Sequence, residues 1–280
     1  IKPDSSEALG RLVAADIALG NLTTGIATMR RAARMNPDLS KQIAKCFIEK
    51  AAHFDKQQQP DVVLQLYQVA LEFVPLDPEV LEPFLKFCES LGGNDDVREA
   101  YRGILLTHSE PTYLAGRIDG ILRRHHSPQE IVAFWQSLIK EQSESALFHL
   151  YLGKAWEDSN DWEQACRSYE QACILNSKDG EAVYRRGVLE IIQGNSEMGH
   201  ALLRESADKT PDLKNAIGQY CAHKAAQLVE QERYNPALSL CMVAVEICPM
   251  NTGIVDQLGD LYMKIGKTQS ALEAYQKVLS

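Results

Sequence analysis

The chain has 280 residues, is 45% hydrophobic and 7% aromatic, and carries 29 Lys and Arg against 38 Asp and Glu, a net charge of −9. That length can bury a sizeable core. The acidic balance argues against a nucleic-acid partner, because neutralising phosphates takes a basic face. No apolar run approaches the ~18 residues needed to cross a bilayer, so no membrane insertion is expected. No segment has the charged-then-apolar layout of a signal sequence. The seven cysteines are odd in number, contain no CxxC and fall mostly on apolar helix positions. They point to reduced thiols packed as small hydrophobes, and with them to a cytoplasmic setting. Their spacing predicts no metal site, since ligand clusters need paired short spacings.

In chain order, residues 1–5 (IKPDS) read as the tail of a repeat. The first full unit is 6–39, turning at Gly20–Asn21 and closing on Asn36–Pro37–Asp38. An insertion, 40–43, precedes the second unit, 44–77. The third, 78–111, turns at Gly92–Gly93; the fourth, 112–145, opens its second helix at Ser127–Pro128. Proline is tolerated there because a first helical turn has no intrahelical use for that N–H. The fifth and sixth, 146–179 and 180–213, turn at Asn160–Asp161 and Gly194–Asn195. A second insertion, 214–217, precedes the seventh unit, 218–251, and the eighth, 252–280, reads as truncated inside its second helix.

Within a unit, spacing dictates two amphipathic helices. Leu147, Leu150 and Tyr151 fall on one helix face, and Ala165, Tyr169 and Ala172 share a face of the next. Gly or Asn at the turn accepts the left-handed conformation that ends a helix, and proline near the end of a unit stops the second. Across units the register holds. Position 8 includes Ala51, Gly153, Gly187, Ala225 and Gly259; position 20 includes Gly25, Ala165, Gly199, Ala237 and Ala271. Position 24 includes Met29, Tyr67, Tyr101, Trp135, Tyr169 and Tyr275; position 32 includes Pro37, Pro75, Pro211 and Pro249.

Small, small, large and helix-stopper at a 34-residue period resemble the tetratricopeptide repeat (TPR) family over essentially the whole chain. The third and fourth units are degenerate, with Asp119 where a small residue is expected. The resemblance implies an all-α fold, a right-handed superhelical α-solenoid of antiparallel helix pairs. First helices would line a concave groove and second helices a convex back.

A longer period lies over the short one. Arg11 matches Arg185, Arg30 matches Arg204, and KAA at 50–52 matches KAA at 224–226, all at an offset of 174 residues. That offset is five units plus one insertion, as duplication of a five-unit block would leave. Each insertion should lengthen the following first helix by about one turn.

Nothing resembles a catalytic constellation: there is no nucleophile elbow, phosphate-cradling glycine loop or HExxH. The chain therefore reads as a non-enzyme without cofactors. His125–His126 reads as an exposed turn, Asp95–Asp96 as charge at a helix start, and Trp135, Trp156 and Trp162 as core. The resemblance places groove-facing side chains on the first helices. In the middle units these include Tyr113, Arg117, Tyr151, Lys154, Tyr184 and Arg185. Arginine and tyrosine are enriched at interface hot spots, and the cations suit an acidic or carboxylate-bearing segment of another protein. The lysine–asparagine–arginine clamp that some TPR modules use for chaperone tails is not expected, because no asparagine occupies positions 6 or 9 of any unit. The leading expectation is a protein-interaction module. The alternatives are a scaffold that self-associates end to end, or an accessory TPR region of a larger protein such as a glycosyltransferase.

Overall fold

A computed structural model describes residues 22–74, 77–92, 94–107 and 111–279. The tail 1–5, the first helix of the first unit with Arg11, the Gly20–Asn21 turn, Pro75, Gly93 and Ser109 lie outside the described residues. The described residues form fifteen α-helices, two single 3-10 turns and no strand. The fold is all-α and TPR-like.

The chain divides into two compact units, 1–127 and 128–280. The division falls between the two helices expected of the fourth repeat. The first unit holds α1 (Leu22–Met35), α2 (Ser40–Asp55), α3 (Pro60–Phe73), α4 (Pro78–Ser90), α5 (Asp95–Thr107) and α6 (Thr112–His125). The second holds α7 (Pro128–Glu141), α8 (Ala146–Asp158), α9 (Trp162–Leu175), α10 (Gly180–Ile192) and α11 (Ser196–Lys209). It continues with α12 (Lys214–Glu230), α13 (Tyr234–Ile247), α14 (Thr252–Lys264) and α15 (Thr268–Leu279).

Local chemistry sets the boundaries. Asp77, Ser145, Asp179 and Asn251 cap α4, α8, α10 and α14, each accepting a first-turn backbone N–H. Pro60, Pro78 and Pro128 stand at the start of their helices, where a missing N–H costs nothing. Asp95 and Asp96 stand in the first turn of α5, on the favourable end of its dipole. Asn160, Gly92 and Gly194 have positive φ at the turns, and so do Gln58 and Glu232.

In the second unit α8 packs on α9, α10 on α11, α12 on α13 and α14 on α15. Gly153 explains how closely α8 and α9 approach: a Cβ there would overlap the Tyr169 ring, and the same holds for Gly259 and Tyr275 in the last pair. In the first unit Leu85 stands at the small position, and the core is filled by rings instead. Phe84 meets Tyr67 and Tyr101 edge-on, both at 6.1 Å. Asp119, also at a small position, is buried and paired with Arg123 one turn on at 2.6 Å.

The two units carry the same local devices 174 residues apart. Pro37–Leu39 and Pro211–Leu213 are both 3-10 turns. The helices that follow, α2 and α12, have 16 and 17 residues, against 13 in α4, α8, α10 and α14. Gln58 and Glu232 share a positive φ of 57° and 59°. Arg30 makes a two-pronged contact with Glu72 at 2.7 and 2.8 Å, and Arg204 makes the matching contact with Glu246 at 2.7 and 2.8 Å.

Candidate functional site

Position along the helix decides which polar side chains meet. On α8, Lys154 and Glu157 are three apart; on α10, Glu181 and Arg185 are four apart; on α12, Tyr220 and Lys224 are four apart. Each pair therefore lies along one face of its own helix. The three helices bring these faces together.

Glu157 is the centre. Its side chain is 4% exposed. Arg185 Nη1 donates to its Oε1 at 3.3 Å and Lys224 Nζ lies 2.9 Å from Oε2. The hydroxyls of Tyr169 and Tyr220 donate to Oε1 and Oε2 respectively. Lys224 and Tyr220 stand 67 and 63 residues away, so one carboxylate ties together three consecutive helix pairs. Burial alone would push its pKa up. Arg185 and Lys224, with the two phenol hydrogen bonds, outweigh that and hold it below the usual carboxylate range.

Glu181 is the second acid, with a side chain 31% exposed. Lys154 Nζ and Arg185 Nε both reach its Oε1, at 2.7 and 2.9 Å. Burial raises its pKa, and Lys154 and Arg185 bring it below the ordinary value. The N–H of Glu181 donates to Asp179 Oδ1, which fixes this residue in the first turn of α10.

Aromatic rings back every cation. Lys154 sits 4.4 Å over Tyr151. Arg185 sits 4.6 Å over Tyr220 and 5.9 Å over Tyr184. Lys224 sits 5.1 Å over Trp162 and 5.6 Å over Tyr220. Each contact holds a cation close to water without full hydration. Burial opposes the Arg185 charge, but Tyr169, Tyr220 and Glu157 more than offset it and the pKa is raised. Burial pushes the Tyr184 phenol up to about 12. A pocket of about 200 Å³ adjoins the network, lined by Asn160, Trp162, Ile192, Lys224, Gln227 and Leu228 among others.

Four of the six residues singled out in the sequence, Tyr151, Lys154, Tyr184 and Arg185, stand in this network. Tyr151 and Tyr184 are walls rather than free contacts: they are 8% and 6% exposed, and Tyr151 stacks on Trp135 at 4.9 Å. The other two, Tyr113 and Arg117, belong to the first unit. There Arg117 is two-pronged on Glu82 at 2.5 and 2.8 Å, and the Tyr113 hydroxyl donates to the same Glu82 at 3.1 Å. Tyr113 is 58% exposed.

Tyr169, Tyr220, Lys224 and Trp162 are site residues that the sequence does not single out as such. Trp162, expected in the core, is half-buried beneath Lys224, and Tyr169 is fully buried yet spends its hydroxyl on Glu157. One signal was available. Lys224 occupies unit position 7, where Leu12, Phe84, Ile118, Leu152 and Leu258 stand in five other units and Lys50 and Arg186 in the remaining two. A cation at a mostly apolar inter-helix position calls for a buried anion.

The other flagged groups behave as ordinary structure. His125 is exposed at the end of α6, and His126 is half-buried beside it. The thiols of Cys88 and Cys241 are pushed up to about 12 and those of Cys166 and Cys173 to about 11, burial being the largest cause in each. All seven described cysteines are free thiols. No helix of the described residues is long and apolar enough to cross a membrane.

Tandem antiparallel helix pairs, a small-residue contact under a large ring, and polar side chains gathered on the first helices define a helical-repeat protein. Residues 254–280 match the model of the tetratricopeptide repeat. The same helix-pair register runs through the other described pairs, whose fold is TPR-like. No curated protein matches its sequence. Solved structures that resemble it include MamA 41-end from Desulfovibrio magneticus, at 16% identity over 61% of this chain and 94% of that one, with a TM-score of 0.42. A tetratricopeptide repeat protein from Parabacteroides merdae matches at 18% identity, over 85% and 79%, with a TM-score of 0.42. YrrB, described as a TPR protein with an unusual peptide-binding site, matches at 17% identity over 65% and 92%, with a TM-score of 0.42. Scores below 0.5 add nothing to the assignment, which rests on the repeat match and the helix-pair register.

Proposed function

We propose that this chain is a protein-interaction module that takes an acidic or carboxylate-bearing segment of a partner protein on the α8–α10–α12 face. The observation that carries the reading is the gathering of Lys154, Arg185 and Lys224 from three successive first helices. Their side chains are 14%, 18% and 12% exposed, each held over aromatic rings. Preorganised cations with part of their hydration already removed favour a carboxylate more than mobile surface lysines do. The half-buried rings of Trp162 and Tyr220 add apolar area at little entropic cost. Recognition without reaction is the chemistry this set supports. Tyr113 and Arg117 in the first unit offer a separate, more exposed contact of the same kind.

A fluorescein-labelled decaglutamate peptide provides the test, by anisotropy at low and moderate salt. The wild-type chain should bind, and binding should weaken as salt rises. The K154Q/K224Q variant should bind at least tenfold more weakly while keeping its helical circular dichroism. Unchanged affinity in that folded variant would refute the assignment.

A further inference from the structure

The two carboxylates of the network are not equivalent. Glu157 uses both oxygens on four partners and is 4% exposed, so it belongs to the scaffold. Glu181 is 31% exposed and receives Lys154 and Arg185 on one oxygen, Oε1. Two converging, partly exposed cationic donors are the arrangement expected around an incoming carboxylate. Here the chain itself supplies that carboxylate, from the first turn of α10.

We infer that Glu181 is a tethered stand-in for the partner's carboxylate, which occupies the Lys154–Arg185 donors until a partner displaces it. This rests on the interaction reading above and adds the regulation of the same site. The consequence is a threshold. A single weak acid does not displace a tethered one, because the tether keeps Glu181 at high effective concentration. A segment with several acids, making further contacts at Lys224 and the rings, does. Removing the Glu181 charge should therefore open the site rather than damage it.

The test compares wild type, E181Q and the remote control E163Q with the same decaglutamate probe. Glu163 is 72% exposed and pairs with Arg167 one turn on along α9, so E163Q changes net charge by the same amount at a surface carboxylate that pairs with neither Lys154 nor Arg185. E181Q should bind at least tenfold tighter than wild type, about 1.4 kcal/mol, and E163Q should match wild type. E181A gives the same readout without a side-chain amide if E181Q folds poorly. If wild type binds and E181Q binds equally or more weakly, Glu181 positions the cations and the stand-in idea is overturned while the interaction reading stands. If E163Q tightens binding as much as E181Q, only long-range charge is at work and the stand-in idea again fails. If neither wild type nor the Glu181 variants bind, both readings fall.

Discussion

Replacing Glu157 should be the most damaging single change in the second unit. Its side chain is 4% exposed, and its cationic partners Arg185 and Lys224 are 18% and 12% exposed. Removing one member of a buried pair leaves its partners charged and uncompensated, at about 3–5 kcal/mol. E157A should lie in that range. E157Q keeps an oxygen for the tyrosine hydroxyls and should cost less, about 1.5–3 kcal/mol, the worth of hydrogen bonds to a charged group. Urea unfolding followed by tryptophan fluorescence is the assay, because Trp135, Trp156 and Trp162 all fall in the second unit. The pH dependence has a definite sign. The folded pKa is depressed, so the contribution is fully present above the unfolded glutamate value near ~4.3. It is lost as pH falls through the folded pKa. The gap between wild type and E157Q should therefore close as pH drops below about 4. An E157A variant within about 1 kcal/mol of wild type at neutral pH would refute the claim that this carboxylate holds three helix pairs together.

Four further outcomes follow from the packing. G153A should destabilise by about 1–3 kcal/mol, since its Cβ overlaps the Tyr169 ring. G103A, with open space around an exposed mid-helix glycine, should stabilise by about 0.5–1 kcal/mol in thermal melts. E232G should raise stability by about 0.5–1 kcal/mol by relieving a positive φ of 59°, checked by denaturant midpoint. D179A should cost about 1 kcal/mol through loss of the α10 cap, and because that cap fixes the Glu181 backbone it should also alter probe affinity.

Much of the fold was legible because it is local. Turn residues, capping side chains, prolines at helix starts and the Gly153–Tyr169 contact all repeat at one spacing. The lengthening of α2 and α12 could be read from the two insertions. The site was half legible for a physical reason. A repeat comparison aligns equal positions in successive units, whereas Glu157 joins position 12 of one unit to positions 6 and 7 of the next two. The arginine clamps show the same limit. Arg30 and Arg204 stood out as matched, yet their partners Glu72 and Glu246 did not, since each contact spans 42 residues. The division between the two compact units at residues 127 and 128 has no sequence signal beyond Ser127–Pro128, which also fits an ordinary helix start.

Zero-length carbodiimide crosslinking of the decaglutamate probe tests the central claim most directly, because it records which lysines a bound carboxylate touches. Peptide mapping should find the probe on Lys154 and Lys224, with the yield falling as salt rises. Crosslinks confined to outlying lysines such as Lys178, Lys209 and Lys264, with Lys154 and Lys224 unmodified, would contradict it.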